Sequence, residues 1–204
     1  MSNIDKNKFD TWFEGNRGSL INNIKEIFNQ EKVEFESTTS DDQNLADQVN
    51  AEEFPRVGIQ FSSSDDSSHL QHLITVDSNS VLNLYSWMSG EKIKDTLDEE
   101  QWKKFQEGIE QFLLNVSNSI EDETMTFTVQ NLTVSQYDSG DDFSVLLPLD
   151  SGLSVSHNFK LGKDTISVNQ YSWIKNTSDD DSVDVSRAEF DSFSSENGED
   201  GDPR

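Results

Sequence analysis

From Asp98 to Ile120 the apolar side chains fall at Trp102, Phe105, Ile109, Phe112, Leu113, Val116 and Ile120. Steps of three and four residues gather them into one stripe of an α-helix, because a helix turns once in 3.6 residues. The other side carries Lys103, Glu107, Glu110, Gln111, Leu114 and Asn118. A helix of about six turns that is apolar on one side only is marginal alone and draws its stability from a second layer. That requirement constrains the fold more than any other segment does.

The remaining patterns supply the layer. Val33 and Phe35 alternate with charges between Lys32 and Glu36, and Val57, Ile59 and Phe61 alternate again. Leu70 to Val76 pairs with this second strand as a hairpin, across a turn rich in Ser and Asp from Ser62 to Ser68. Four more strands are expected at Thr126 to Tyr137, Phe143 to Leu149, Leu153 to Leu161 and Thr165 to Ile174. Residues 9 to 30 read as a second long helix through Trp12, Phe13, Leu20, Ile21, Ile24, Ile27 and Phe28. A short helix from Asn79 to Met88 is capped by Asp77 or Ser78 and ends at Gly90. The polar run 37 to 53 reads as a loop. The expected fold is therefore α+β, a mostly antiparallel sheet with two long helices packed on one face.

Residues 1 to 176 read as one domain. Residues 177 to 204 hold ten acids against two arginines and are expected to be a disordered acidic tail. Within it VDVSRAEFDSF keeps four apolar side chains, which leaves two readings open, a docking segment or a plain linker.

Charge excludes some partners. Forty Asp and Glu against fifteen Lys and Arg give a formal charge of −25, and such a surface repels nucleic acid phosphates and anionic lipid. The acids run along the whole chain, as on proteins of saline habitats. The alternative is an acidic decoy that imitates nucleic acid, which needs the charge concentrated on one face. With no cysteine, disulfides and thiolate metal sites are excluded. Neither a signal peptide nor a run of membrane-spanning length is present, so a soluble cytoplasmic protein is expected.

His69 and His72 lie three apart on one expected strand and so point to opposite faces, while His157 is remote in sequence. All three read as ordinary polar positions, and no cofactor or metal ligand is expected. Phosphate-binding loops, nucleophile elbows and metal-protease patterns are missing from the sequence. Trp87 and Trp102 fit core packing. By residue type alone, Glu107, Glu110 and Gln111 are a solvated helix face, since residues three and four apart share a side.

The stretch ITVDSNSVLNLYSWMSGEKIKDTLDEEQWKKFQEGIEQFLLNVSNSI, followed by TFTVQNLTVSQYD, FSVLLPLD and SVSHNFKL, resembles the CheC/CheX/FliY family of chemotaxis proteins. The shared features are a strand, a short helix ending in glycine, an acidic spacer beginning Leu-Asp-Glu, a long helix, and a hydrophobic strand with Pro148 in the matching place. The resemblance covers roughly the middle 90 residues, from Ile74 onward.

This resemblance implies binding to a CheY-like response regulator and, in active members, hydrolysis of its aspartyl phosphate. The family signature is a Glu followed three residues later by an Asn. The Glu pairs with a lysine of the regulator, and the Asn amide orients the attacking water. An amide suits that role because it donates and accepts without net charge. Here Glu107 occupies the Glu position and Glu110 the Asn position. A carboxylate there cannot donate and repels the phosphoryl group, so phosphatase activity is doubtful. Gln111 is the alternative source of an amide. The expected contact surface is Lys103, Glu107, Glu110, Gln111 and Leu114. A second reading is a flagellar motor switch component of the FliY N-terminal type. Oligomeric state is not set by any feature of the sequence.

Overall fold

In the computed structural model of the protein, the described residues are 4–42, 44–64, 69–93, 95–119, 129–144, 147, 152–161 and 163–174. Their elements run α1 (Lys6–Ile27), β1 (Val33–Asp42), α2 (Leu45–Asn50), β2 (Arg56–Ser64), β3 (His69–Asp77), α3 (Ser78–Ser89), α4 (Glu99–Ser119), β4 (Gln130–Tyr137), α5 (Gly140–Ser144), β5 (Gly152–Leu161) and β6 (Asp164–Ile174). The strands form one antiparallel sheet in the order β1-β5-β6-β3-β2-β4. Exchanging β1 with β4, β2 with β5 and β3 with β6 reproduces that order reversed. The chain is thus a twofold-like repeat of a long helix, a strand, a short helix and a hairpin, with β3 and β6 pairing at the centre.

Strand periodicity decides which side chains meet which helices. On β3, Leu70 and Val76 point to the face covered by α1, α3 and α4, whereas Leu73 points to the opposite face. The first face holds the main core. Ile24 of α1 and Phe28 just after it, Tyr85 of α3, and Phe105, Ile109 and Leu113 of α4 pack there on Val57, Ile59, Ile166 and Val168. The α+β expectation, with its two long helices on one face of an antiparallel sheet, is what the structure shows. Trp87 and Trp102 are half-buried against this core.

Local signals account for the helix starts. Asp77 accepts the Ser80 N–H at 3.0 Å, and α3 stops at Gly90, whose φ is 75°. The α4 start is a reciprocal box: the Asp98 side chain accepts the Gln101 N–H at 2.9 Å, and the Gln101 side chain accepts the Asp98 N–H at 3.0 Å.

Two expectations are corrected. The run 37 to 53 is not a loop. Strand β1 continues to Asp42 with Thr39 on its buried side, and α2 follows, with Leu45 and Val49 completely buried four residues apart. Small polar residues fill the inward positions of this edge strand, so its alternation is not one of hydrophobicity. Phe143 does not begin a strand either. It sits in α5, fully buried, 4.1 Å from the Tyr137 ring and 5.6 Å from that of Phe54. Its burial against α2, Leu73 and Tyr171 covers the second sheet face. Ser139, bonded to Asp142 at 3.0 Å, marks the helix start that hydrophobicity alone hid. The turn expected from Ser62 starts later, because β2 runs on to Ser64; residues 65–68, the start of the Thr126 strand, Pro148 and the 177–204 tail lie outside the described residues.

Candidate functional site

Helix α4 is held so that its polar side can face only outward. Phe105, Ile109, Leu113 and Val116 are buried beneath it. Gln106 Nε2 donates to the Val134 carbonyl at 2.8 Å and ties the helix to β4. At Gly108 the helix meets Met88 of α3 closely: an added Cβ there would lie 2.7 Å from Met88 Sδ. Three separate contacts therefore set the rotation of α4 about its axis.

Lys103, Glu107, Glu110, Gln111 and Leu114 all lie on the exposed side. At about 100° per residue their positions fall within an arc of roughly 100°, so the five expected contact residues form one continuous stripe. Lys103 Nζ and Glu107 Oε1 are 4.0 Å apart, with side chains 76% and 64% exposed. Such a pair is weak and readily exchanged for a partner's charge. Gln111 Nε2 donates to Asn115 Oδ1 at 2.8 Å, which engages its amide along the helix. Leu114, 40% exposed, adds an apolar contact to the stripe. Glu110 is exposed and adds a second carboxylate to the stripe. Chemically this is a face that can accept hydrogen bonds from a cationic partner. Among the described residues no group of three or more His, Asp or Glu side chains is placed to hold a metal ion, and no described helix is long and apolar enough to cross a membrane.

Two of the three histidines are not ordinary polar positions. His69 is exposed, but His72 and His157 are 2% and 5% exposed and stand in the main core. They belong to a ladder that crosses five adjacent strands. Ser37 of β1 meets His157 Nδ1 at 2.9 Å, and His157 Nε2 meets Gln170 Oε1 of β6 at 2.9 Å. Gln170 Nε2 lies 3.3 Å from His72 Nδ1 on β3, Ser172 Oγ lies 2.8 Å from that same nitrogen, and Ser63 of β2 meets His72 Nε2 at 2.7 Å. Burial pushes His72 down to about 3. It also pushes His157 down to about 4, against the upward pull of Gln170. Position was the available signal: His72 shares its strand parity with Leu70, Ile74 and Val76, and all point inward.

On the opposite sheet face Glu52 is another site that residue type did not announce. Its Oε1 accepts from Thr75 Oγ1 at 2.8 Å, Asn169 Nδ2 at 2.6 Å and Tyr171 Oη at 2.8 Å. Its Oε2 lies 2.9 Å from Arg56 Nε, an ion-pair distance without the alignment of a hydrogen bond.

No protein-family model matches the sequence, and no curated protein matches it. Among solved structures the chain is similar to FliY of Thermotoga maritima, at a TM-score of 0.66 and 15% identity over 82% of this chain and 90% of that one. It is also similar to a chain of the FliG–FliM complex from H. pylori, at 0.60 and 9% identity over 82% and 93%. A chain of the CheX–CheY–BeF3–Mg complex from Borrelia burgdorferi matches at 0.54 and 12% identity over 81% and 98%. At these identities the likeness is one of fold. The fold is of the CheC/CheX/FliY type, as the order of elements around α4 implied.

Proposed function

We propose that this chain, with its CheC/CheX/FliY-type fold, is a docking protein of chemotaxis or flagellar signalling that offers the outer face of α4 to a CheY-like response regulator. The observation that carries this reading is the stripe itself: Lys103, Glu107, Glu110, Gln111 and Leu114 are outward and continuous on a helix locked from behind. The likeness to a chain of the CheX–CheY complex supports it by fold. In this reading Glu107 accepts a lysine of the regulator and Leu114 packs beside it. Hydrolysis is weak or lost, because Glu110 places a charge near the phosphoryl group and cannot donate to water. Removing one positioning group from such a site costs a factor of about 10² or more.

A second reading, favoured by the likeness to a chain of the FliG–FliM complex, is a scaffold of the flagellar switch. Binding experiments separate the two. The chain is titrated against a CheY-like regulator, with and without beryllofluoride as the phosphoryl mimic, and against a FliG-type switch protein. Tighter binding to the beryllofluoride form, lost about tenfold or more in Glu107→Ala and Leu114→Glu, supports regulator docking. Binding to the switch protein alone, indifferent to beryllofluoride and to both substitutions, overturns it.

A further inference from the structure

Between α1, α4 and the sheet lies a cavity of about 140 Å³. Trp12 and Phe13 of α1, Ile109 and Leu113 of α4, and Ile59 and Val168 of the sheet are among its walls, and all six are buried. Most of its lining side chains are buried, which places it within the core. Its polar wall is the ladder already described, through Ser63, His72, His157 and Gln170.

The chemistry of that wall selects the occupant. Both ring nitrogens of His157 are engaged, by Ser37 and Gln170, and both of His72 are engaged, by Ser63 on one side and Ser172 with Gln170 on the other. The imidazoles therefore have no open site to offer. A water needs two to four polar partners to occupy such a place, and an apolar cavity of about 150 Å³ stays dry and takes up benzene or xenon. A charged ligand would lose most of its hydration against walls that are mainly aromatic and aliphatic.

We propose that this cavity is a binding site for one small, uncharged, apolar molecule of single-ring size. The assignment does not rest on the regulator-docking reading. It does place the ligand against Ile109 and Leu113, on the inner side of the α4 turns whose outer side carries Glu107, Glu110 and Gln111.

Benzene and benzoate are the probes, used with the full chain. Benzene at several times its Kd is expected to raise Tm by about 2–4 °C, whereas benzoate leaves it unchanged. Methyl spectra of the wild type locate the site. Saturable ring-current shifts at Ile109, Leu113 and Val168 are expected, with Leu45 and Val49 on the opposite sheet face unmoved. Val116→Phe, which adds a ring to the cavity wall, is expected to abolish the benzene response; if that variant does not fold, the wild-type methyl map alone decides. The proposal is overturned by the absence of saturable shifts, by shifts on both sheet faces, by equal binding of benzoate, or by an undiminished response in folded Val116→Phe.

Discussion

Nε2 of His157 on β5 lies 2.9 Å from Oε1 of Gln170 on β6, in a core made mainly of aromatic and aliphatic side chains. An amide oxygen only accepts, so the imidazole donates through Nε2 and its Nδ1 is left to accept from the Ser37 hydroxyl 2.9 Å away. Likewise His72 meets Ser172 and Gln170 at Nδ1 and Ser63 at Nε2, and a hydroxyl can donate or accept, so a neutral ring is satisfied at both nitrogens. Both rings are satisfied in the neutral form, and burial opposes a charge on either.

Stability should consequently fall on acidification. Unfolded imidazoles titrate near 6.5, while His72 and His157 are held down at about 3 and about 4. Their contribution is complete above about pH 6.5 and is lost as the pH falls towards the folded values, because the unfolded chain takes up protons first. With both rings contributing, the slope is roughly 2–3 kcal/mol per pH unit near pH 5. Urea midpoints at about pH 7, 6 and 5 measure it, and His157→Gln should remove about half of the slope. Parallel profiles for wild type and variant would show that the ring is charged or exposed in the folded state.

Glu52→Leu should destabilise the chain by about 3–5 kcal/mol, since it leaves Arg56 buried beside an apolar group. The double variant Glu52→Leu, Arg56→Met should regain much of that loss. Tyr171→Phe removes one hydrogen bond to the carboxylate and should cost about 1.5–3 kcal/mol. Denaturant unfolding of the four proteins forms the test, and a double variant no more stable than Glu52→Leu would contradict it.

Phe143→Ala should cost about 3–5 kcal/mol, the range for truncating a fully buried aromatic. An exposed strand residue at this position would give a loss well below that. Thermal unfolding distinguishes the two.

Asp98→Ala should lower stability by about 0.5–2 kcal/mol through the lost cap. It should leave Glu107-dependent binding intact, because three other contacts orient α4.

Glu110→Asn should raise phosphate release from a phosphorylated CheY-like regulator, since it restores an amide three residues after Glu107. Release is followed as inorganic phosphate over time. An unchanged rate in a variant that still binds would mean that this face does not meet the phosphoryl group.

The main architecture was legible because its signals are periodic and local. The apolar stripes of α1 and α4, the alternation of β2, β3, β5 and β6, and the Asp77 and Asp98 caps each specify an element within a few residues. The outward direction of Glu107, Glu110, Gln111 and Leu114 follows from the same stripe, since burying one side of a helix exposes the other. The repeat-like strand order was not legible, because pairing β6 with β3 joins residues about 100 positions apart and leaves no local mark.

Helices α2 and α5 and the inward Ser and Thr of β1 were hidden for a related reason. Their burial comes from partners across the sheet, not from hydrophobic neighbours in sequence. Periodicity alone determined that this chain is a sheet backed by two long helices, with a polar stripe turned to solvent. Only the tertiary structure decided that Ser37, Ser63, His72, His157, Gln170 and Ser172 meet in one buried ladder beside a cavity. A polar side chain can be buried only where others arrive to satisfy it, and those others come from five different strands.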